Sequence, residues 1–238
     1  MARRRRSPCA GALAATPKRR CVFVRERWAS FDCFGTLVDW ERGFRGILTA
    51  NGSSKADAVV KAFHQHEAAV EAETYRPYRQ VTRMALERAI AETGDTIASS
   101  TVLTDSWASL PVFDDSVEAL RQLRADGWSL AILTNCDDDL FALTATELGV
   151  SIDRVVTAQN VRSYKPAPAH FFRFRETIGD VPWVHVAGSW FHDIVPAHRA
   201  GIPRVWIDRQ RSHEDPALAS AVLPDLRELA SVVRTIVR

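Results

Sequence analysis

The sequence predicts an α/β fold, a doubly wound parallel sheet carrying an inserted, all-helical cap. From about residue 114 onward, short apolar runs alternate with amphipathic stretches, and glycines punctuate the series. Repeated β–α units of this kind pair as a parallel sheet with helices on both faces. Between the first apolar run and the second lie about seventy residues of helical character without a convincing strand. The ends of the strand-like runs carry polar residues, at the edge where open α/β sheets hold their ligands.

The first strand is expected over residues 28–32, ending in Asp32, after which the chain turns at Gly35. Ala56, Val59, Val60, Phe63, Glu67 and Val70 then follow helical spacing on one mostly apolar face. A second long helix is expected over 79–93, with Val81, Met84, Ala85, Ala89 and Ile90 buried and Gly94 as C-cap. A shorter helix over 101–110 is closed by Pro111. Asp114, Asp115 and Ser116 are N-cap candidates for a helix that buries Val117, Leu120 and Leu123 and ends at Gly127. Next come a strand over 128–133 leading into Thr134-Asn135, a helix over 138–148 stopped by Gly149, and a short strand over 154–157. A helix over 168–178 opens just after Lys165-Pro166. A strand over 183–187 ends in Gly188-Ser189, and a helix over 193–200 is closed by Gly201. A strand over 204–207 follows, and Asp225 starts a terminal helix. The resulting organisation is a basic tail over 1–21, expected to be disordered, a core over 22–41 and 112–238, and a cap over 42–111. Rooted beside Asp32, that cap is placed to act as a lid.

Composition narrows the function classes. With 46% hydrophobic and 25% charged residues in 238, the chain reads as an ordinary soluble protein. No run approaches the roughly 18 apolar residues of a membrane span. The net charge of +2 is unevenly placed, because residues 1–27 hold nine basic side chains against Glu26, leaving 22 basic and 28 acidic residues in the body. A body near −6 is the opposite of a nucleic-acid footprint. Gly11 to Ala15 is too short an apolar core for a signal peptide. The four cysteines, Cys9, Cys21, Cys33 and Cys136, show no zinc or disulfide spacing and read as reduced thiols of a cytoplasmic protein. Cys33 and Cys136 are expected to pack beside the site and not to react. There is no Gly-x-Ser-x-Gly elbow and no dinucleotide fingerprint.

In a parallel sheet all carboxyl ends share one edge, so Asp32, Thr36, Thr134, Asn135, Lys165 and Asp193 are expected to converge. Each alone has an ordinary structural reading. Thr134-Asn135 would serve as a helix N-cap, and Asp193 as a first-turn acid favoured by the helix dipole. Their recurrence at successive strand ends is what points to a site.

These stretches resemble the haloacid dehalogenase (HAD) superfamily. Asp32-Cys33-Phe34-Gly35-Thr36-Leu37 resembles its first motif, Leu133-Thr134-Asn135 its second, Tyr164-Lys165-Pro166 its third, and the stretch from Gly188 to Asp193 its fourth. The resemblance implies a Rossmann-like core, a helical cap inserted after the first motif, and an Asp nucleophile that forms a covalent intermediate. Asp32 would be that nucleophile, with Lys165 holding it ionised. Thr36, Thr134, Asn135 and Asp193 would complete the catalytic set, Thr134 and Asn135 donating where charge develops.

Phe34 selects among reactions. Phosphatases of this family carry a second Asp two residues after the nucleophile, and phenylalanine cannot transfer a proton. Halide leaves without one. The dehalogenase branch carries tyrosine at that position, which Phe34 resembles, so hydrolytic dehalogenation of a small 2-haloacid, without cofactor, is placed ahead of two alternatives. One is a phosphatase acting on a small phosphomonoester, with Mg²⁺ held by Asp32 and Asp193. The other is a HAD-like binding protein with little turnover. The chain departs from the 2-haloacid dehalogenase (type II) pattern at Phe171, Gly188 and Trp190. Phe34, Trp40, Tyr78, Arg79, Ser189 and Trp190 are expected to bind substrate, and Tyr75 and Trp107 are further wall candidates. Arg42, Arg45 and Arg76 join Arg79 as candidates for the cap arginine that the resemblance implies for substrate carboxylate and halide. The expected partner is a small molecule, with no nucleic acid and no membrane, and a homodimer is left open.

Overall fold

A computed structural model describes residues 26–237, and the basic tail expected over 1–21 lies outside them. In chain order the elements are β1 (Trp28–Phe31), α1 (Trp40–Ala50), α2 (Ala56–Glu71), α3 (Tyr78–Thr93), α4 (Val102–Asp105), α5 (Ser116–Ala125), β2 (Ser129–Thr134), α6 (Asp138–Leu148), β3 (Arg154–Thr157), α7 (Ala158–Val161), α8 (Ala169–Ile178), β4 (Trp183–Ala187), α9 (Val195–Arg199), β5 (Arg204–Ile207), β6 (Ala221–Leu223) and α10 (Leu229–Ile236). The six strands form one sheet in the order β3-β2-β1-β4-β5-β6. Every pairing is parallel, with Trp28 level with Ser129 on one side and Trp183 on the other. Strand order reverses beside β1, so the crevice between β1 and β4 at their carboxyl ends is the switch point of the sheet.

Period-two alternation splits the strands between two cores. Ala29, Phe31, Leu130, Ile132, Val184 and Val186 face one side, while Trp28, Ala131, Leu133 and Trp183 face the other. On that second side Trp28 and Trp183 meet Phe174 edge-on, with ring centroids at 5.4 and 5.0 Å.

Between β1 and β2 the described residues form helices only. The two connections to this block run side by side: Asp39 N donates to Pro111 O at 2.8 Å and Phe113 N to Leu37 O at 2.9 Å. Asp39 caps α1 by accepting from Arg42 N at 3.2 Å. The core caps the cap in turn, because Asp137, buried at the start of α6, accepts from Tyr78 N at 2.8 Å and Arg79 N at 3.0 Å. These are donors that the first turn of α3 cannot satisfy internally. Trp107 joins the two layers, edge-on to Phe34 at 5.0 Å and to Phe44 at 5.8 Å, its indole N–H on Thr144 Oγ1 at 3.2 Å.

Four sequence expectations change. The terminal helix begins at Leu229, not Asp225. The helix after β4 opens with a wide π turn over Trp190–Ile194. Residues 101–110 break into α4 and a separate short turn at Trp107–Ser109. β6 was not expected; its three residues, only one of them buried, carry too little periodicity to stand out. No helix among the described residues is long and apolar enough to cross a membrane.

Candidate active site

The loop after β1 is built to hold one carboxylate. Gly35 takes φ +87°, a left-handed value that suits glycine. Its N–H reaches Val38 O at 2.8 Å, while Cys33 O accepts from Leu37 N at 2.8 Å and Val38 N at 3.0 Å. This tight turn folds Thr36 back under the nucleophile position. Thr36 Oγ1 donates to Asp32 Oδ2 at 2.8 Å and accepts from Gly188 N at 2.8 Å. Gly188 has no space for a side chain, since a Cβ there would lie 2.6 Å from Gly35 O.

Lys165 is the hub. Its Nζ donates to Asp32 Oδ1 at 2.9 Å, Asp193 Oδ1 at 2.7 Å and Leu133 O at 2.8 Å, using all three donors of an ammonium that is only 1% exposed. Asn135 fixes the lysine's backbone, accepting from Lys165 N at 2.7 Å and donating to Lys165 O at 3.0 Å. Burial pushes the Asp32 carboxyl up against the pull of Lys165. Burial acts the same way on Asp193, but there Lys165 and His185 outweigh it and hold the carboxyl down at about 2. Burial works against the lysine charge, yet Asp193 and Asp32 outweigh it and raise its pKa. A nucleophilic role for Asp32 would need this polarity, since the carboxylate would have to be ionised in a dry site.

Beneath Asp193 runs a buried chain whose protons can be assigned. Trp183 Nε1 can only donate, and it reaches Ser30 Oγ at 2.6 Å. The Asp193 carboxylate can only accept, so a neutral His185 donates from Nε2–H to Asp193 Oδ1 at 2.9 Å and accepts the Ser30 hydroxyl hydrogen at Nδ1 at 2.8 Å. Asp193 Oδ1 thus receives two donors, while its buried Oδ2 has no partner among the described residues.

A cavity of about 590 Å³ opens over Asp32, between the sheet edge and the cap. Asp32, Thr134, Asn135, Lys165 and Asp193 line it, and Thr36 supports it from below. Of the expected binding residues, Phe34, Trp40, Tyr78, Ser189 and Trp190 line the cavity, as does Trp107. Ser189 also caps the π turn by accepting from His192 N at 3.2 Å. Arg79 does not line it. The guanidinium sits on Asp139 at 2.7 Å, because α3 begins at Tyr78 and turns the next side chain toward α6. Nor does Tyr75, which packs on Tyr164. Cys33 and Cys136 are fully buried, which pushes both thiols up and leaves them unreactive.

Sequence reasoning missed the acidic cap wall. Glu67 and Glu71, one turn apart on α2, both line the cavity. Burial pushes both carboxyls up, Glu71 the further because Glu67 adds to it. The signal was present, since Glu67 falls on the otherwise apolar face of its helix. His185 stood alone in an apolar strand in the same way, and Arg209 entered the cavity wall from beyond β5 without any local cue.

Two carboxylates do not make this a divalent-metal site. Among the described residues no three His, Cys, Asp or Glu side chains gather to hold an ion. The space between Asp32 and Asp193 is spanned by the Lys165 ammonium, and the residue at the first acid position of the fourth motif is Gly188. The donor set does not fit Mg²⁺.

A family model described as haloacid dehalogenase-like hydrolase matches residues 27–201. The chain belongs to this family. Among characterised HAD-like hydrolases it is similar to the (S)-2-haloacid dehalogenase 4A of Burkholderia cepacia, 27% identical over 190 residues that cover 76% of this chain and 82% of that one. Among solved structures it resembles an L-2-haloacid dehalogenase at TM-score 0.78 and 27% identity, covering 88% of this chain and 99% of that one. The Xanthobacter autotrophicus L-2-haloacid dehalogenase with chloropropionic acid covalently bound shares the fold at TM-score 0.75 and 19% identity, covering 88% and 98%.

Proposed function

We propose that this HAD-like hydrolase removes halide from a small 2-halo carbonyl compound, the class to which the 2-haloacids named for its relatives belong, through an ester formed on Asp32. The observation that carries this reading is the pairing of Asp32 with Lys165 at 2.9 Å in a buried site whose neighbour two residues on is Phe34. An oxygen of Asp32 attacks the carbon bearing the halogen. The C–O bond forms as the C–halogen bond breaks, and halide leaves with the electron pair. No proton is needed, so Phe34 costs the reaction nothing. Phe34, Trp40, Phe44 and Trp107 supply an apolar wall that excludes water from this step. Water then attacks the carbonyl carbon of the Asp32 ester, its proton passing to Asp193 Oδ2, which has no other partner among the described residues, and the 2-hydroxy product leaves.

The test is a paired screen of short 2-haloacids and generic phosphomonoesters, with and without chelator. The expected result is halide release that the chelator does not change and that Asp32→Asn abolishes. Phosphate release that the chelator stops would overturn the reading.

A further inference from the structure

A 2-haloacid is an anion, and the charged residues lining the cavity that would receive its carboxylate are mainly acids. Eight Asp and Glu residues line the cavity, against Lys165 and Arg209 alone. Lys165 is held by Asp32, Asp193 and Leu133 O. Arg209 is bidentate on Asp115 at 2.9 and 3.0 Å and also donates to Thr36 O at 2.9 Å. The cap arginines are equally engaged, Arg42 with Asp39, Arg45 with Asp57, Arg76 with Glu73 and Arg79 with Asp139, and none of them lines the cavity. Of the guanidinium and ammonium donors that line the cavity, Arg209 Nε alone lacks a partner, and it is buried out of solvent.

What faces the substrate is a pair of carboxyl groups. Glu67 accepts from the Tyr78 hydroxyl. Glu71, its side chain 7% exposed, takes only two long contacts from Asn135 Nδ2, at 3.3 and 3.4 Å. His192 Nε2 stands 3.8 Å from Glu71, and His64 Nδ1 stands 3.8 Å from Glu67. A carboxylate brought here would meet like charge, or a neutral acid able to offer it one hydrogen. A primary amide meets either form of Glu71 with a donor. Against the protonated form it also closes a two-bond ring, its carbonyl accepting the acid hydrogen and its N–H donating to the acid carbonyl.

We propose that this cavity selects 2-haloamides over 2-haloacid anions, with Glu71 as the residue that reads the amide. The proposal rests on the dehalogenase reading and names the substrate class within it. The reaction balances as amide plus water giving 2-hydroxyamide, halide and a proton. The C2–halogen bond breaks as the C2–O bond to Asp32 forms, and water supplies the oxygen that Asp32 then recovers.

The experiment measures chloride release from 2-chloropropionamide and 2-chloropropionate by the full chain and by Glu71→Gln, with Asp32→Asn as the blank. The wild type is expected to favour the amide at least tenfold in kcat/KM. Glu71→Gln, which places an N–H₂ where the acid stood, is expected to narrow that ratio at least fivefold, mainly by lowering KM for the anion. Preference of the wild type for 2-chloropropionate, or an unchanged ratio in a folded Glu71→Gln, overturns the proposal while the dehalogenase reading stands. Chloride from neither substrate overturns both. The wild-type ratio decides the substrate class even where the variant fails to fold.

Discussion

Replacing Lys165 with Met keeps an unbranched side chain one atom shorter and removes the charge and three donors. In the wild type the ammonium joins Asp32 and Asp193 at 2.9 and 2.7 Å. Deleting one partner of a buried charge cluster leaves uncompensated carboxylates, at a cost of about 3–5 kcal/mol. The variant can reduce that cost by taking up a proton, and this makes the loss depend on pH. The Asp193 carboxyl is held down at about 2 in the wild type. It therefore contributes stability that is fully present above the ordinary Asp value of about 3.9 and is lost as pH falls toward 2. Without Lys165, burial raises the carboxyls above their unfolded values. The folded variant then binds protons more tightly than the unfolded chain, and its stability rises as pH is lowered from 7 to 5. Denaturant unfolding at the two pH values is the assay. The deficit against wild type is expected to be near 3 kcal/mol or more at pH 7 and clearly smaller at pH 5. Halide release should fall at least about 10²-fold, the scale for losing one electrostatic group aimed at the reacting atoms. A deficit under about 1 kcal/mol, or one identical at both pH values, would refute the view that Lys165 neutralises this pair.

Three further outcomes follow from the same geometry. Gly188→Ala pushes a Cβ to 2.6 Å from Gly35 O, a backbone atom that cannot swing away; a loss of about 1–3 kcal/mol is expected by thermal melting, together with reduced turnover as Thr36 loses Gly188 N. Asp137→Ala uncaps α3, and differential scanning should show about 0.5–2 kcal/mol lost, with faster hydrogen exchange at Tyr78 and Arg79. His185→Phe strips Asp193 Oδ1 of one donor and leaves the Ser30 hydroxyl hydrogen without its acceptor, for about 1–3 kcal/mol. Its kcat is expected to fall with KM little changed, since His185 touches no substrate, and a KM effect alone would contradict that role.

The legible part of the fold was the part written in periodicity. The strands at 154–157, 183–187 and 204–207 are those observed, and the carboxyl ends of β1, β2, β3 and β4 bring Asp32, Thr134, Asn135, Lys165 and Asp193 to one cavity as parallel topology requires. The cap's contribution was not legible, because a helix tells which face is buried but not against what. Glu67 sits among Val59, Val60, Phe63 and Val70 on a face that a sequence reads as core. Only with α3 and the sheet edge in place does that face split into a packed part and a cavity wall. Arg79 failed for the reverse reason. It lies at the first turn of its helix, near the site in sequence terms, but rotation about the helix axis gives it to Asp139.

Gly188 and Phe34 then become one fact instead of two. The loops after β1 and β4 meet backbone to backbone, with Gly188 N on Thr36 Oγ1 and the missing Cβ facing Gly35 O. A side chain at 188 would force those loops apart and release Thr36 from Asp32. This packing leaves no room for the acid that phosphatases of the resemblance carry there, and with Phe34 in place the second acid of the first motif is gone as well. Two carboxylates remain, one ammonium lies between them, and Trp206 Nε1 closes the arrangement on Gly188 O at 3.1 Å. A site so closed holds Asp32 against a buried cation. With no acid at Phe34 to protonate a leaving group, such a site suits the halide of the proposed reaction, and on that proposal the choice among substrates falls to the cap, where Glu67 and Glu71 line the cavity.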